Sequence, residues 1–221
     1  MISEALTIKE AAVLARVTEK VIRHELSTKI VGSRRRGRRH VELDPRAVLY
    51  LSLVSNLRVE LTKADRRDLF ELITSERSAR GHWKRQGSRL ILEGRVPVVL
   101  AMSALDKAVE ERLKLFARGK RRVVTNPDIL GGEPVFEGTR ISVRHVGELA
   151  GRGVALTTLL EDFPRLSEAD IEFARIFAEL GKPPGRPRKR SSSAPDEDPD
   201  RREPLADARP EARQPRHHQR G

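Results

Sequence analysis

Apolar positions in this chain recur mostly at helical spacing, broken by short runs that read as strands. Thr7 and Glu10 form a Thr-x-x-Glu pattern, in which each side chain satisfies the other's free backbone N–H. A helix is predicted from Ile8 to Leu14. The gap Ala15-Arg16-Val17 leads to Thr18, a second N-cap, and to a helix reaching about Ser27 with Val21, Ile22 and Leu26 on one face. Ile30-Val31 and His40–Leu43 read as two short strands around the basic segment GSRRRGRR. Asp44-Pro45 gives an N-cap acceptor followed by proline at the first helical position. The third helix that follows carries Ala47, Val48, Leu51 and Val54 inward.

Further on, the pattern predicts a short amphipathic helix from Thr62 to Ile73 and a hairpin of Arg89–Leu92 with Val96–Leu100 around Glu93-Gly94-Arg95. Ser103 begins a helix with Leu105, Val109, Leu113 and Phe116 on one stripe and Gly119 as its stop. Three more helical patterns follow. Val143, Val146, Leu149 and Ala150 mark the first. Leu156, Leu159, Leu160 and Phe163 mark the second, which Pro164 ends. Ser167, with Asp170 three residues on, starts the third, which carries Ile171, Ala174, Phe177 and Ala178. Beyond Lys182 apolar residues almost vanish. Such a segment cannot offset the entropy of ordering and is expected to be disordered.

Charge adds a partner class to this picture. The 221 residues carry a net charge of +12, with a pI of about 10.7, which favours a polyanion such as nucleic acid. A basic protein that is merely soluble is the alternative. With no cysteine, disulfides, thiolate zinc sites and cysteine nucleophiles are excluded. No apolar run approaches the ~20 residues needed to cross a bilayer, and MISEALTIKEAA lacks the order of a signal peptide. A cytoplasmic location is therefore expected.

Helix, tight turn, helix, basic hairpin and third helix is the order of a winged helix-turn-helix. In that arrangement the second helix enters the major groove, so its outward residues must be polar. Thr18, Glu19, Lys20, Arg23 and His24 are the outward candidates, of which Thr18, Lys20, Arg23 and His24 are assigned to DNA. Arg34, Arg35, Arg36, Arg38 and Arg39 are placed on the hairpin tip, where Gly32 and Gly37 let it approach DNA closely. The pattern resembles MerR-like and excisionase-like winged domains, although His40-Val41 stands where those wings carry an aromatic. A three-helix module that binds protein is the alternative.

GGEPVFEGTRI, residues 131–141, concentrates the chain's backbone punctuation. Gly131-Gly132 permit a sharp reversal at φ > 0, Val135-Phe136 can form a short strand, Glu137-Gly138 turn again, and Ser142 can cap the next helix. The spacing fits neither of the common glycine-rich phosphate loops. With NPDILGGEPVFEGTRISVRHV and LLEDFPRLSEADI, the segment resembles domain-of-unknown-function family 433. Asn126, Pro127, Gly131, Gly132, Pro134, Gly138, Thr139, Arg140, Asp162, Pro164, Leu166 and Asp170 fall on that family's recurrent positions. The resemblance implies a small trihelical domain of the kind found in VapB-type antitoxins. It also implies operator binding and neutralisation of a PIN-like ribonuclease toxin. A homodimer is the form in which the winged head is expected to bind the operator. Arg140 either pairs with Asp162 or Asp170 inside the domain or reaches a partner's acidic site. Arg144 is left with the same two roles.

Arg186 and Arg188 lie in PGRPRKR, which holds the Gly-Arg-Pro core of a minor-groove hook but has Pro184 in the place of its first arginine. A plain basic linker, or a segment that wraps a partner, remains open. The histidines are scattered and no nucleophile elbow or metal-ligand spacing occurs, so no enzyme, cofactor or metal is expected.

The expected fold class is mainly α with small β-hairpins. It comprises a winged helix-turn-helix at 1–57, a mixed α/β middle at 58–120, a trihelical domain at 121–181 and a disordered basic, proline-rich tail at 182–221. The expected function is an antitoxin-like DNA-binding protein. A regulator without a toxin and an adaptor that binds no DNA are the alternatives.

Overall fold

Thr7 Oγ1 accepts from the Glu10 N–H (3.2 Å), and the Glu10 carboxylate accepts from the Thr7 N–H (2.8 Å). This reciprocal cap opens α1 (Ile8–Ala15) in the computed structural model, which describes residues 5–36, 40–75 and 77–181. Arg16 ends the helix in the left-handed conformation (φ 56°) and turns the chain into α2 (Glu19–Ser27). The strand expected at Ile30-Val31 does not form. Lys29 is left-handed (φ 57°), and the Ile30 and Val31 N–H groups both turn back to the Glu25 carbonyl (3.1 and 3.3 Å). Closing the helix end uses the donors a strand would need. Both side chains are still buried.

The strands lie one step later. β2 (Ser33–Arg36) pairs antiparallel with β3 (His40–Leu43), and β3 pairs with β1 (Leu6–Thr7), giving the order β1-β3-β2. Arginines expected on the hairpin tip at 34, 35 and 36 therefore belong to a strand, with Arg34 opposite Glu42. α3 (Ala47–Asn56) buries Ala47, Val48 and Leu51 as its stripe predicts, and Tyr50, Ser52 and Leu53 as well. It is wrapped by α1, α4 and α5, so more than one face is covered.

α4 (Lys63–Thr74) is capped by Thr62, whose hydroxyl accepts from the Asp65 N–H (3.1 Å). A four-stranded meander follows: β4 (Ala79–Arg80), β5 (Trp83–Gln86), β6 (Arg89–Leu92) and β7 (Val98–Ala101). The hairpin around Glu93-Gly94-Arg95 is present, with Leu92 opposite Val98. Its two companions escape sequence reading because β5 is Trp-Lys-Arg-Gln, and only Trp83 is buried. The Trp83 indole N–H donates to the Asp65 carbonyl (3.0 Å), which ties the sheet to α4.

α5 (Ser103–Arg121) runs past Gly119, the residue expected to stop it. Gly119 is instead a contact point. A Cβ there would fall 2.0 Å from the Phe173 ring, so only glycine lets that ring lie on the helix. β8 (Val123–Val124) pairs with β9 (Val135–Phe136), and α6 (Val143–Gly151), α7 (Leu156–Asp162) and α8 (Glu168–Glu179) complete the fold. Phe116, Phe173 and Phe177 stack in series, each ring pair 5.8 Å apart. Arg112 donates to the Leu14 carbonyl, and Lys120 meets Glu10 at 3.1 Å, so α1 is held to α5.

Among the described residues there are eight α-helices and three small antiparallel sheets, an α+β fold in which helix predominates. No described helix is long and apolar enough to cross a membrane.

Candidate nucleic-acid interface

α2 has two chemically distinct faces. Ile22 and Glu25 are buried, while Thr18, Lys20, Arg23 and His24 are exposed. Lys20, Arg23, His24 and Ser27 stand three or four residues apart and so share one stripe. Arg23 reaches back to Glu19 (2.9 Å), an exposed pair that solvent and salt weaken. Thr18 occupies the N-cap position with extended backbone (φ −78°, ψ 150°), but its side chain makes no cap hydrogen bond. The first turn of α2 thus keeps amide donors that no side-chain cap occupies.

Arg34 is exposed and contributes, after Arg46, to holding the Asp44 carboxyl below its ordinary range. The main cause is the Arg46 guanidinium, which donates to both Asp44 oxygens and also to the Thr74 carbonyl (2.7 Å). These bonds fix the corner where β3 passes into α3. Arg35 and Arg36 are on β2, but their side chains lie outside the described residues, as do Arg38, Arg39, Arg186 and Arg188.

A buried polar group that sequence reading missed seats α2. The Glu25 carboxylate is only 2% exposed. It accepts from the Tyr50 hydroxyl (2.9 Å) and from Arg66 (2.8 Å). One carboxylate therefore joins α2, α3 and α4. The available signal is positional: Glu25 follows Ile22 by three residues, on the inward face. Burial, and then Glu25's negative charge, push the Tyr50 phenol well above its ordinary value of 10.0. The unfolded chain would ionise this phenol first, so its contribution is fully present below pH 10 and falls as pH rises further. Tyr50→Phe should lower stability at neutral pH by about 1 kcal/mol. The gap from the parent should narrow above pH 10 in denaturant titrations. A gap that widened there would contradict the assignment.

The C-terminal part is built on the 131–141 loop. Gly131, Gly132 and Gly138 all take positive φ (65°, 87° and 71°), as their sequence pattern requires. Val135 and Phe136 are fully buried. Ser142 caps α6 by accepting from the His145 N–H (3.2 Å) and donates to Glu133 (2.8 Å). The Asp170 carboxylate, expected as a partner for Arg140, is taken by Arg122 (2.6 Å) and by the Ser167 cap (2.7–2.9 Å). Arg140 is exposed and makes no hydrogen bond or ion pair among the described residues. It lines an open hollow of about 470 Å³ with Leu130, Glu133, His145 and Phe163.

Residues 123–178 match the family described as Protein of unknown function (DUF433). An 82-residue stretch is 38% identical to "Uncharacterized protein y4eO" of Sinorhizobium fredii (strain NBRC 101917 / NGR234), covering 37% of this chain and 37% of that relative. The chain thus spans little more than a third of the relative's length. No solved structure matches it.

Within residues 123–178, several polar side chains have conformational duties. Asn126 accepts from the Asp128 N–H (3.0 Å), and Thr139 donates to the Phe136 carbonyl (2.8 Å). Leu166 and Asp170 are buried. Arg144 is 7% exposed, donates to the Gly181 carbonyl (3.0 Å) and lies 5.8 Å from the centre of the Phe177 ring. It therefore joins α6 to the end of α8. Arg140 alone of the two arginines faces outward.

Proposed function

We propose that this chain is a DNA-binding regulator of the antitoxin type, with a winged helix-turn-helix head at 1–57 that reads an operator. The observation that carries the reading is the outward stripe of α2, all polar or cationic, on a helix fixed from behind by Glu25. α2 lies in the major groove, with Lys20, Arg23 and His24 at base edges. Thr18 and the uncapped first turn approach a phosphate. The arginine-rich β2–β3 hairpin is the wing and contacts the flanking backbone.

Replacing Arg34, Arg35, Arg36, Arg38 and Arg39 together by alanine tests this. Each lost phosphate contact should reduce the slope of log affinity against log salt by about 0.9, and affinity at moderate salt should fall by roughly 10²-fold or more. Circular dichroism and thermal melting check that the variant still folds. A folded variant with the parent's salt slope would sink the wing assignment.

The antitoxin half of the reading is supported by the resemblance of the family 433 segment to VapB-type antitoxins. The partner is a PIN-like ribonuclease, whose metal-binding carboxylates suit an arginine without an internal partner. Arg140 is such a group, and Arg144 is not. Arg140→Glu should leave thermal stability within about 0.5 kcal/mol, as for other surface changes, while abolishing co-purification with the toxin. Co-purification at parental yield would remove Arg140 from the contact.

A further inference from the structure

We infer that the hollow around Arg140 seats a protein segment that presents a carboxylate and a cation with an apolar side chain between them. This deepens the partner-binding half of the proposed function, on which it rests, by naming the chemistry the partner must bring. It is independent of the DNA-binding head.

Two groups on the rim gain nothing inside the fold. The Arg140 guanidinium is exposed and has no partner, because Glu133 accepts from the Ser142 hydroxyl (2.8 Å) and Asp170 is held by Arg122. Leu130 is 49% exposed on left-handed backbone (φ 48°), a conformation that favours glycine and that bulky residues rarely adopt. An apolar side chain held outward in this way is buried only when something covers it.

Between these groups the hollow has an apolar floor and an acidic side. Phe163 and Ile141 are partly buried in the core, and the His145 ring stands edge-on to Phe163 (6.4 Å, 85°). Glu148, one turn along α6 from His145, is exposed and makes no hydrogen bond or ion pair among the described residues. Arg140 is thus open to a carboxylate, Glu148 to a cation, and Leu130 with Phe163 to an apolar side chain.

The charges lining the hollow select the occupant. Its two arginines, Arg140 and Arg144, are matched by two carboxylates, Glu133 and Glu148. Arg144 is already spent on the Gly181 carbonyl and the Phe177 ring. On a chain of net charge +12 this is a locally balanced site, and a nucleic-acid strand laid in it would set its phosphates against Glu133 and Glu148. A small molecule is held by a cleft that covers most of its surface, whereas this hollow is open. A protein segment brings its own enclosure and both signs of charge.

Nuclear magnetic resonance of the labelled full chain tests this. The probes are short capped peptides with one glutamate and one lysine flanking a leucine at varied spacing. An all-acidic peptide, an all-basic peptide and a single-stranded oligonucleotide serve as comparisons. At about millimolar concentration the bipolar peptides should shift the Leu130, Arg140, His145 and Phe163 signals saturably. Arg140→Glu and Glu148→Lys should each weaken that binding by about 10-fold or more. Arg152→Glu, exposed at the end of α6 and outside the hollow, should not. Signals elsewhere in the chain check that each variant is folded. No saturable shift from any bipolar peptide, equal binding of the all-acidic peptide with Glu148→Lys unaffected, or a hollow that responds to the oligonucleotide instead would each overturn the inference. That holds even if Arg140→Glu abolishes co-purification with the toxin. Peptide binding together with parental co-purification of Arg140→Glu would keep the hollow's occupant and remove the PIN-like partner from it.

Discussion

Gly147→Ala should destabilise the protein by about 2 kcal/mol or more, although alanine is the better helix former. Gly147 lies in α6 where that helix crosses α8, and the two helices make the most extensive contact of any pair. A Cβ built at 147 would stand 2.1 Å from the Ala174 carbonyl oxygen, 2.7 Å from its carbon and 2.8 Å from the Ala178 Cβ. Two of these are backbone atoms and cannot rotate away, so the helices must part. Alanine's propensity advantage over glycine is about 1 kcal/mol. Overpacking in a closed contact typically costs about 1–3 kcal/mol and more when the backbone must shift. The steric term therefore wins. Gly151→Ala, at the end of the same helix, is the matched control. Nothing lies within 4 Å of its added methyl, so it should be neutral or stabilising by up to about 1 kcal/mol. The melting temperature should fall for Gly147→Ala and stay level or rise for Gly151→Ala. Equal behaviour would contradict the close helix crossing.

The contrast between these two glycines shows what sequence could convey. Gly131, Gly132 and Gly138 are legible because turn chemistry is local: clustered glycines with a proline require positive φ, which all three adopt. Gly119 and Gly147 serve close approach between helices, and their partners Phe173 and Ala174 lie 54 and 27 positions away. No local pattern reports that, and Gly119 consequently reads as a stop. Caps behave like turns. Thr7-Glu10 and Ser167-Asp170 form reciprocal boxes as their spacing predicts. Strands fail where one face is solvated by long polar side chains, as in β5, or where a helix closure consumes the donors, as at Ile30-Val31. In the candidate interface the exposed stripe of α2 was legible from periodicity. The carboxylate that seats it was not, because an inward glutamate breaks the apolar pattern used to find a core.

That carboxylate carries the other large expected effect. Arg66→Met should cost about 3 kcal/mol or more in denaturant unfolding at neutral pH. Glu25 is 2% exposed, and Arg66 is its cationic partner at 2.8 Å. The pair links α2 to α4 across 41 positions of sequence, and Tyr50 holds the second oxygen. Removing the cation leaves a buried carboxylate with only the Tyr50 hydroxyl as its side-chain partner, and breaking a buried pair at one end costs about 3–5 kcal/mol. Arg66 is itself 20% exposed, so some water reaches the site and the lower end applies. Removing the whole group is different in kind. Glu25→Leu, Tyr50→Phe and Arg66→Met together fill the space with apolar atoms and leave no orphaned charge, so much of the stability should return. The triple variant should then be more stable than Arg66→Met alone, a reversal that additive losses cannot produce. If the triple variant is instead the least stable, Glu25 is contributing net stability and not chiefly fixing the orientation of α2. Measured on DNA, the single variant separates the two duties further. A loss of affinity larger than the unfolded fraction explains would mean that the exposed stripe depends on this buried carboxylate for its aim.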